Sequence, residues 1–272
     1  MDGTPRGGTF GREFLALFLP GLLGVLSLPL MLGPVLEKQM EELRSTGVEI
    51  PDLPLWLLML LSLIQPTVLM AGAVALGVGL TPRLGLRSHL AARARSGAPV
   101  WPALRSEAPA ALLAGIAVSL LVVGLDLLFQ PLLGEALKRA AQEVEDPGPV
   151  MVVTGILYGG ITEELMMRWG LVTLFTWAGW KLFQRGGGPP RPALVWGAIL
   201  LAALLFGLGH LPAVSAHVPL TGMVVLRTVL LNALGGMVFG WLFWRRSLEA
   251  AMLAHAVSHL VFLAARLLLP GG

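Results

Sequence analysis

Apolar residues along this chain fall in long runs, not in the alternation of strands. Uncharged runs occupy 14–36, 55–80, 108–125, 192–209 and 228–244. Each approaches or exceeds the ~20 residues a helix needs to cross about 30 Å of hydrocarbon. Period-2 alternation is absent, and a helix satisfies its own backbone in lipid, so the runs predict helices rather than barrel strands. The expected spans are 14–36, 55–80, 108–133, 148–168, 192–211, 220–244 and 249–268, joined by Pro- and Gly-rich turns such as RGGGPPRP at 185–192. The fold class is all-α, a polytopic transmembrane bundle of about seven to eight membrane helices. No repeat, low-complexity tract or second soluble domain interrupts the pattern. Residues 1–147 supply three membrane helices with their loops and 148–272 the remaining core, integrated in one domain.

Composition turns this pattern into a compartment. Of 272 residues, 56% are apolar and 13% charged, against roughly 25% charged in a soluble domain. The mean hydropathy is +0.79. The chain is therefore expected to be an integral membrane protein whose surroundings are the lipid bilayer. Arg6 and Arg12 precede the first run, as in a signal peptide, but the run is long and no small-residue cleavage site follows, so it reads as a retained helix. The sequence contains no cysteine, which excludes disulfides, thiolate catalysis and cysteine metal sites. The net charge of +3 comes from arginines in short loops, and no basic run points to nucleic acid.

Charge also orients the spans. Segment 37–53 is acid-rich, 81–107 carries Arg83, Arg87, Arg93, Arg95 and Arg105 against Glu107, 134–147 is again acid-rich, and Lys181, Arg185, Arg191, Arg245 and Arg246 mark later basic ends. The signs alternate in step with the spans, which by the positive-inside rule places the N-terminus in the cytoplasm. One stretch is too long for a simple crossing: 148–183 would extend ~54 Å as a single α-helix. A membrane helix near 148–168 followed by an interfacial helix near 170–183, with Trp177 and Trp180 at headgroup depth, accommodates its length.

That stretch contains ITEELMMRWG, residues 161–170. A charge at bilayer depth costs at least ~2.5–3.5 kcal/mol, so intramembrane ionisable groups are functional candidates. On an α-helix Glu164 and Arg168, at i and i+4, share a face, while Glu163 is turned ~100° away. Arg168 can neutralise Glu164 and leave Glu163 free. The other polar groups at depth are His210, in LLFGLGHLP, and His255 and His259, in LAHAVSH, again at i and i+4. Three histidines on two apolar helices and an unpaired glutamate on a third suit a buried site that activates water: the carboxylate gains basicity in an apolar pocket, and imidazoles share the proton or stabilise an oxyanion. The blander readings are a proton relay for the glutamates, satisfied structural histidines for His89 and His217, and an ion pair or snorkelling ends for Asp126 and Arg227. The Trp and Phe residues read as packing or interface anchors.

The order EExxxR (Glu163, Glu164, Arg168), FxxxH (Phe206, His210) and a final pair four apart (His255, His259), on successive membrane helices, resembles the CPBP intramembrane proteases, the CAAX-processing and bacteriocin-processing family. The resemblance covers roughly 148–268. It implies a helical membrane endopeptidase of bacterial type, in the inner membrane, with its site in a cavity opening toward the cytoplasm. It further implies that Glu163 with His210 activates the water, that His255 and His259 polarise the scissile carbonyl, and that Glu164, Arg168 and Phe206 support them. The substrate would be a membrane-anchored protein or peptide. The last position departs from the family's usual Asn or Asp. No cofactor is expected, with zinc on His210, His255 and His259 as the alternative. Counted from the basic loops at 1.5 Å per residue, His255 lies ~10–15 Å deep and His210 nearer ~25 Å. The rival functions are a proton-coupled transporter, which calls for discontinuous helices and repeat symmetry, and a non-catalytic scaffold or immunity protein of the same fold.

Overall fold

The computed structural model describes residues 7–46, 53–133 and 149–269, and these contain helices and no strand. The acid-rich segment 134–147 and part of 37–53 lie outside the described residues. The helices are α1 (Gly7–Ser45), α2 (Leu55–Ser62), α3 (Ile64–Leu84), α4 (His89–Ser96), α5 (Val100–Phe129), α6 (149–184), α7 (Pro192–Gly209), α8 (Leu211–Ser215), α9 (Gly222–Arg245) and α10 (Leu248–Leu268). Seven described stretches are long and apolar enough to cross a membrane. The expected polytopic bundle is present. One hydrophobic core unites its two parts, from Leu17 and Val25 of α1 and Met70 of α3 to Leu165, Ile199 and Phe243.

Helix α6 corrects the expected division near residue 169. It runs without a break over the 35-residue stretch Val150–Gln184, because residues 169–180 find buried partners instead of an interface. Trp169 is 1% exposed and lies over Gly77 of α3, where a β-carbon would collide with the indole ring, while Gly170 abuts Ala73. Trp180, expected among headgroups, is buried and donates its indole N–H to the Gly188 carbonyl at 2.9 Å.

Two π-wound segments, Gly155–Glu163 and Leu165–Val172, form the middle of α6. Their i→i+5 bonding widens the turn and shortens the advance per residue, which accommodates part of the excess length. Short π segments inside α-helices occur frequently at functional sites. Close approach to the N-terminal helices is secured by hydroxyls: Thr162 donates to the Gly21 carbonyl (2.8 Å) and Thr154 to that of Ser27 (3.3 Å).

The start of α10 is built into protein. Ser247 caps it, accepting from the Ala250 N–H at 3.1 Å, and donates its own hydroxyl to Glu107. Glu249 in turn receives the Ser88 hydroxyl (2.6 Å) and the N–H groups of His89 (2.9 Å) and Leu90 (3.0 Å), so it closes the N-terminal end of α4. Four backbone N–H groups are orphaned at every helix start, and here a neighbouring helix supplies an acceptor for two of them. His89 bridges to Glu107 at 3.1 Å, the satisfied structural role expected of it, whereas His217 is exposed.

Candidate active site

Glu164 is wholly buried. Its Oε1 meets Arg168 Nη1 at 2.8 Å and accepts the Nδ1–H of His255 at 2.8 Å. Arg168, 1% exposed, donates from Nη2 to the Gly236 carbonyl at 3.1 Å. Its guanidinium carbon sits 5.3 and 5.4 Å from the ring centres of Phe206 and Phe239. A buried charge is tolerable only when paired and hydrogen-bonded, and flanking aromatic faces add attraction for a cation. The pairing of Glu164 with Arg168 is thus a junction of four helices, α6, α7, α9 and α10, with His255 as a partner that the sequence pattern did not indicate.

Glu163 is placed differently. The wider π turn brings it less than ~100° from Glu164, yet still on another face. Its side chain lines a cavity of about 680 Å³ together with His210, His255 and His259. Among the described residues no hydrogen bond or ion pair holds it. The charged groups that act on it are His255, His210, Glu164 and Arg168.

Local structure fixes each histidine. His210 terminates α7, and Pro212 at the start of α8 keeps the chain from continuing the same helix. Its Nδ1–H donates to the Phe206 carbonyl at 2.8 Å. A carbonyl only accepts, so Nδ1 carries the proton and Nε2 of the neutral ring keeps its lone pair. The same logic applied to His255, whose Nδ1–H faces a carboxylate, leaves Nε2 as its unengaged nitrogen. The His255 ring stacks between Phe239 (4.7 Å between centres, 18° between planes) and His259 (5.2 Å, 15°). His259 lies against the bare face of α6: a β-carbon on Gly155 would stand 2.6 Å from its Nδ1, and one on Gly159 2.5 Å from its Nε2.

The expected depth difference between His210 and His255 is absent. The Phe206 ring centre lies 4.6 Å from that of His210 and 6.2 Å from that of His255, so both histidines pack around one side chain. The two helices do not begin alike. Arg191, before α7, is exposed, whereas Leu248, Ala250 and Ala251 at the start of α10 are fully buried.

The zinc alternative does not fit this geometry. A tetrahedral ion requires in-plane nitrogen lone pairs that converge, but the planes of His255 and His259 run nearly parallel. Among the described residues no three His, Asp or Glu side chains gather closely enough to hold one ion.

Some cavity residues escaped the sequence reading. Tyr158, the chain's single tyrosine, lines the cavity with Asn232 and Phe239. Its uniqueness is the one signal that marked it; Phe239 was hidden in an apolar helix. Asp126 and Arg227 form the expected ion pair, Nη2 to Oδ1 at 2.6 Å, and they too line the cavity.

Residues 146–261 match the family model of the Rce1-like proteins, the type II CAAX prenyl endopeptidases. The matched stretch is less than half of the chain and holds every residue of the EExxxR, FxxxH and His255/His259 motifs. The resemblance to the CPBP membrane proteases is borne out over that stretch. No curated protein and no solved structure matches the chain.

Proposed function

From a C-terminal core of the CAAX-endopeptidase type, we propose that this chain is an intramembrane endopeptidase that hydrolyses a peptide bond of a membrane-anchored protein or peptide with a glutamate-activated water. One observation carries the reading. Two adjacent carboxylates have separate fates: Glu164 is held by Arg168 and His255, while Glu163 lines the cavity with three histidines and has no hydrogen-bond or ion-pair partner among the described residues.

In this mechanism Glu163 removes a proton from a water whose oxygen attacks the scissile carbonyl carbon. His210 Nε2 accepts the water's second hydrogen bond and orients it. The carbonyl oxygen gains negative charge and takes hydrogen bonds from His255 and His259. Collapse of the tetrahedral intermediate breaks the C–N bond, and Glu163 returns its proton to the departing amine. His255 offers an Nε2–H to the oxyanion only as imidazolium, since its Nδ1–H already serves Glu164. That bond favours a second reading, in which neutral His255, oriented by Glu164, is itself the base. The transporter reading has less support: α6 runs unbroken through the candidate groups, and no repeat is present.

Glu163→Gln separates the readings. In the first, the purified variant expresses and melts like the parent and loses cleavage by at least ~100-fold, the usual scale for a general base. Retained cleavage would transfer the role to the Glu164–His255 pair, and a parent without cleavage of any membrane-anchored substrate would leave the scaffold reading. The same preparation tests metal: activity should survive exhaustive chelation, whereas loss on chelation with recovery on added zinc would overturn the metal-independent mechanism.

A further inference from the structure

The cavity is one-sided. From α5 it takes only residues from Val118 onward, from α6 only those up to Glu163, and from α10 only those from His255 to Arg266, with Leu269 just beyond. It therefore runs from the candidate catalytic groups to the end of the bundle where α5 finishes, α6 starts and α8 leads into α9. The opposite end is closed. There α4 lies across the bundle: the Leu248 N–H donates to the Arg87 carbonyl at 3.0 Å, Arg95 grips the wholly buried Glu13 of α1 with Nε and Nη2, and Glu249 holds the start of α4.

The closed end is also the basic end. Arg87, Arg93, Arg105, Lys181, Arg191 and Arg245 flank it, and the acids near it, Glu13, Glu107 and Glu249, are buried and engaged with Arg95, Ser247 and α4. At the open end Arg227 is matched by Asp126 and Arg266 also lines the cavity, and the segments 37–53 and 134–147 are acid-rich in sequence. Lys and Arg in short loops are retained in the cytoplasm. We propose that the cavity opens on the non-cytoplasmic side, so that the bond cleaved belongs to a protein or exported peptide presented from that side, not to a tail displayed in the cytoplasm. This opposes the cytoplasmic opening that the family resemblance implies, and its substrate clause rests on the proteolytic reading above.

The wall of the cavity adds the chemistry of the substrate. Met31, Val122, Val123, Met151, Phe262 and Leu263 line it between the polar deep end and a mouth that carries Asp126, Arg227, Gln130 and Arg266, and an apolar wall selects apolar residues beside the scissile bond. The occupant is an extended apolar segment adjoining a membrane anchor, entering from the outer leaflet.

The native chain has no cysteine, so single cysteines report sidedness without background. His217→Cys and the cavity-lining Gln130→Cys test the open end, and Ser96→Cys with Arg93→Cys tests the closed end. In spheroplasts treated with a membrane-impermeant maleimide, the first two should label at once and the second two only after permeabilisation. The reverse order, or equal labelling of both ends in intact spheroplasts, overturns the proposal; two positions at each end guard against one variant that fails to fold. A paired experiment places one apolar-flanked peptide on either side of a single-pass anchor. Cleavage on the outer side alone supports the proposal, and cleavage on the cytoplasmic side overturns it. If neither reporter is cut while the labelling order holds, sidedness stands and the proteolytic reading fails.

Discussion

Glu163 and Glu164 are chemically identical neighbours, and packing alone differentiates them. The separation was legible because i,i+4 spacing survives even a change from α to π winding: Arg168 still reaches Glu164 at 2.8 Å. His255 as a third partner was not legible, since 91 residues separate it from Glu164 and no local period links them. Removing one member of this junction leaves another charge buried and uncompensated, at about 3–5 kcal/mol. Arg168→Ala and Glu164→Gln should therefore lower the melting temperature in detergent by several degrees, while Glu163→Gln, with no partner to orphan among the described residues, leaves it unchanged. Arg168→Lys should recover part of the loss, because an ammonium keeps the charge but lacks the planar fork that meets Glu164 and Gly236 together. Parental melting of Arg168→Ala would show that the junction contributes nothing to stability.

At the level of elements, the sequence located seven crossings but divided α6 wrongly. Apolar periodicity reports where a helix is greasy, not whether its bonds run to i+4 or i+5, so the π winding left no mark in the pattern. The glycines did leave one. Gly155 and Gly159 lie one π turn apart and present backbone to His259, where any side chain would claim the space of the imidazole. In Gly159→Ala the new β-carbon would overlap His259 Nε2, so the ring must swing or α10 must retreat, at about 1–3 kcal/mol for overpacking. Cleavage should fall sharply with only a modest change in melting. Gly197→Ala in α7 is the control, since nothing lies within 4 Å of its added carbon, and alanine should stabilise the helix by up to about 1 kcal/mol. If Gly159→Ala cleaves as well as Gly197→Ala, the position of His259 is immaterial to the reaction.

For the molecule as a whole, the site depends on how far α10 is pushed into the bundle, and that register is set at the closed end. Loop counting missed it because a buried helix start looks in sequence like any other Ser–Leu–Glu turn after two arginines. Glu249 lies six residues before His255, less than two turns, and its carboxylate collects three donors from Ser88, His89 and Leu90. Glu249→Ala orphans those donors, at about 1–3 kcal/mol for each buried group left without a partner, and frees α10 to slide along α5. Activity and melting temperature should then fall together, unlike the split seen for Glu163→Gln. A variant that keeps part of its acceptor set, Glu249→Gln, should lie between, because an amide oxygen still accepts while its nitrogen meets a donor. Measuring kcat against KM sharpens the point: a shifted α10 moves His255 and His259 relative to Glu163 and lowers kcat, and it carries Phe262 and Leu263 of the cavity wall with it, so KM should rise as well, whereas Glu163→Gln should leave KM near the parent's. Parental kcat in Glu249→Ala would mean that α10 is held in register by its packing on α5, where Gly115 meets the Ala254 backbone, and that α4 closes the bundle without positioning the site.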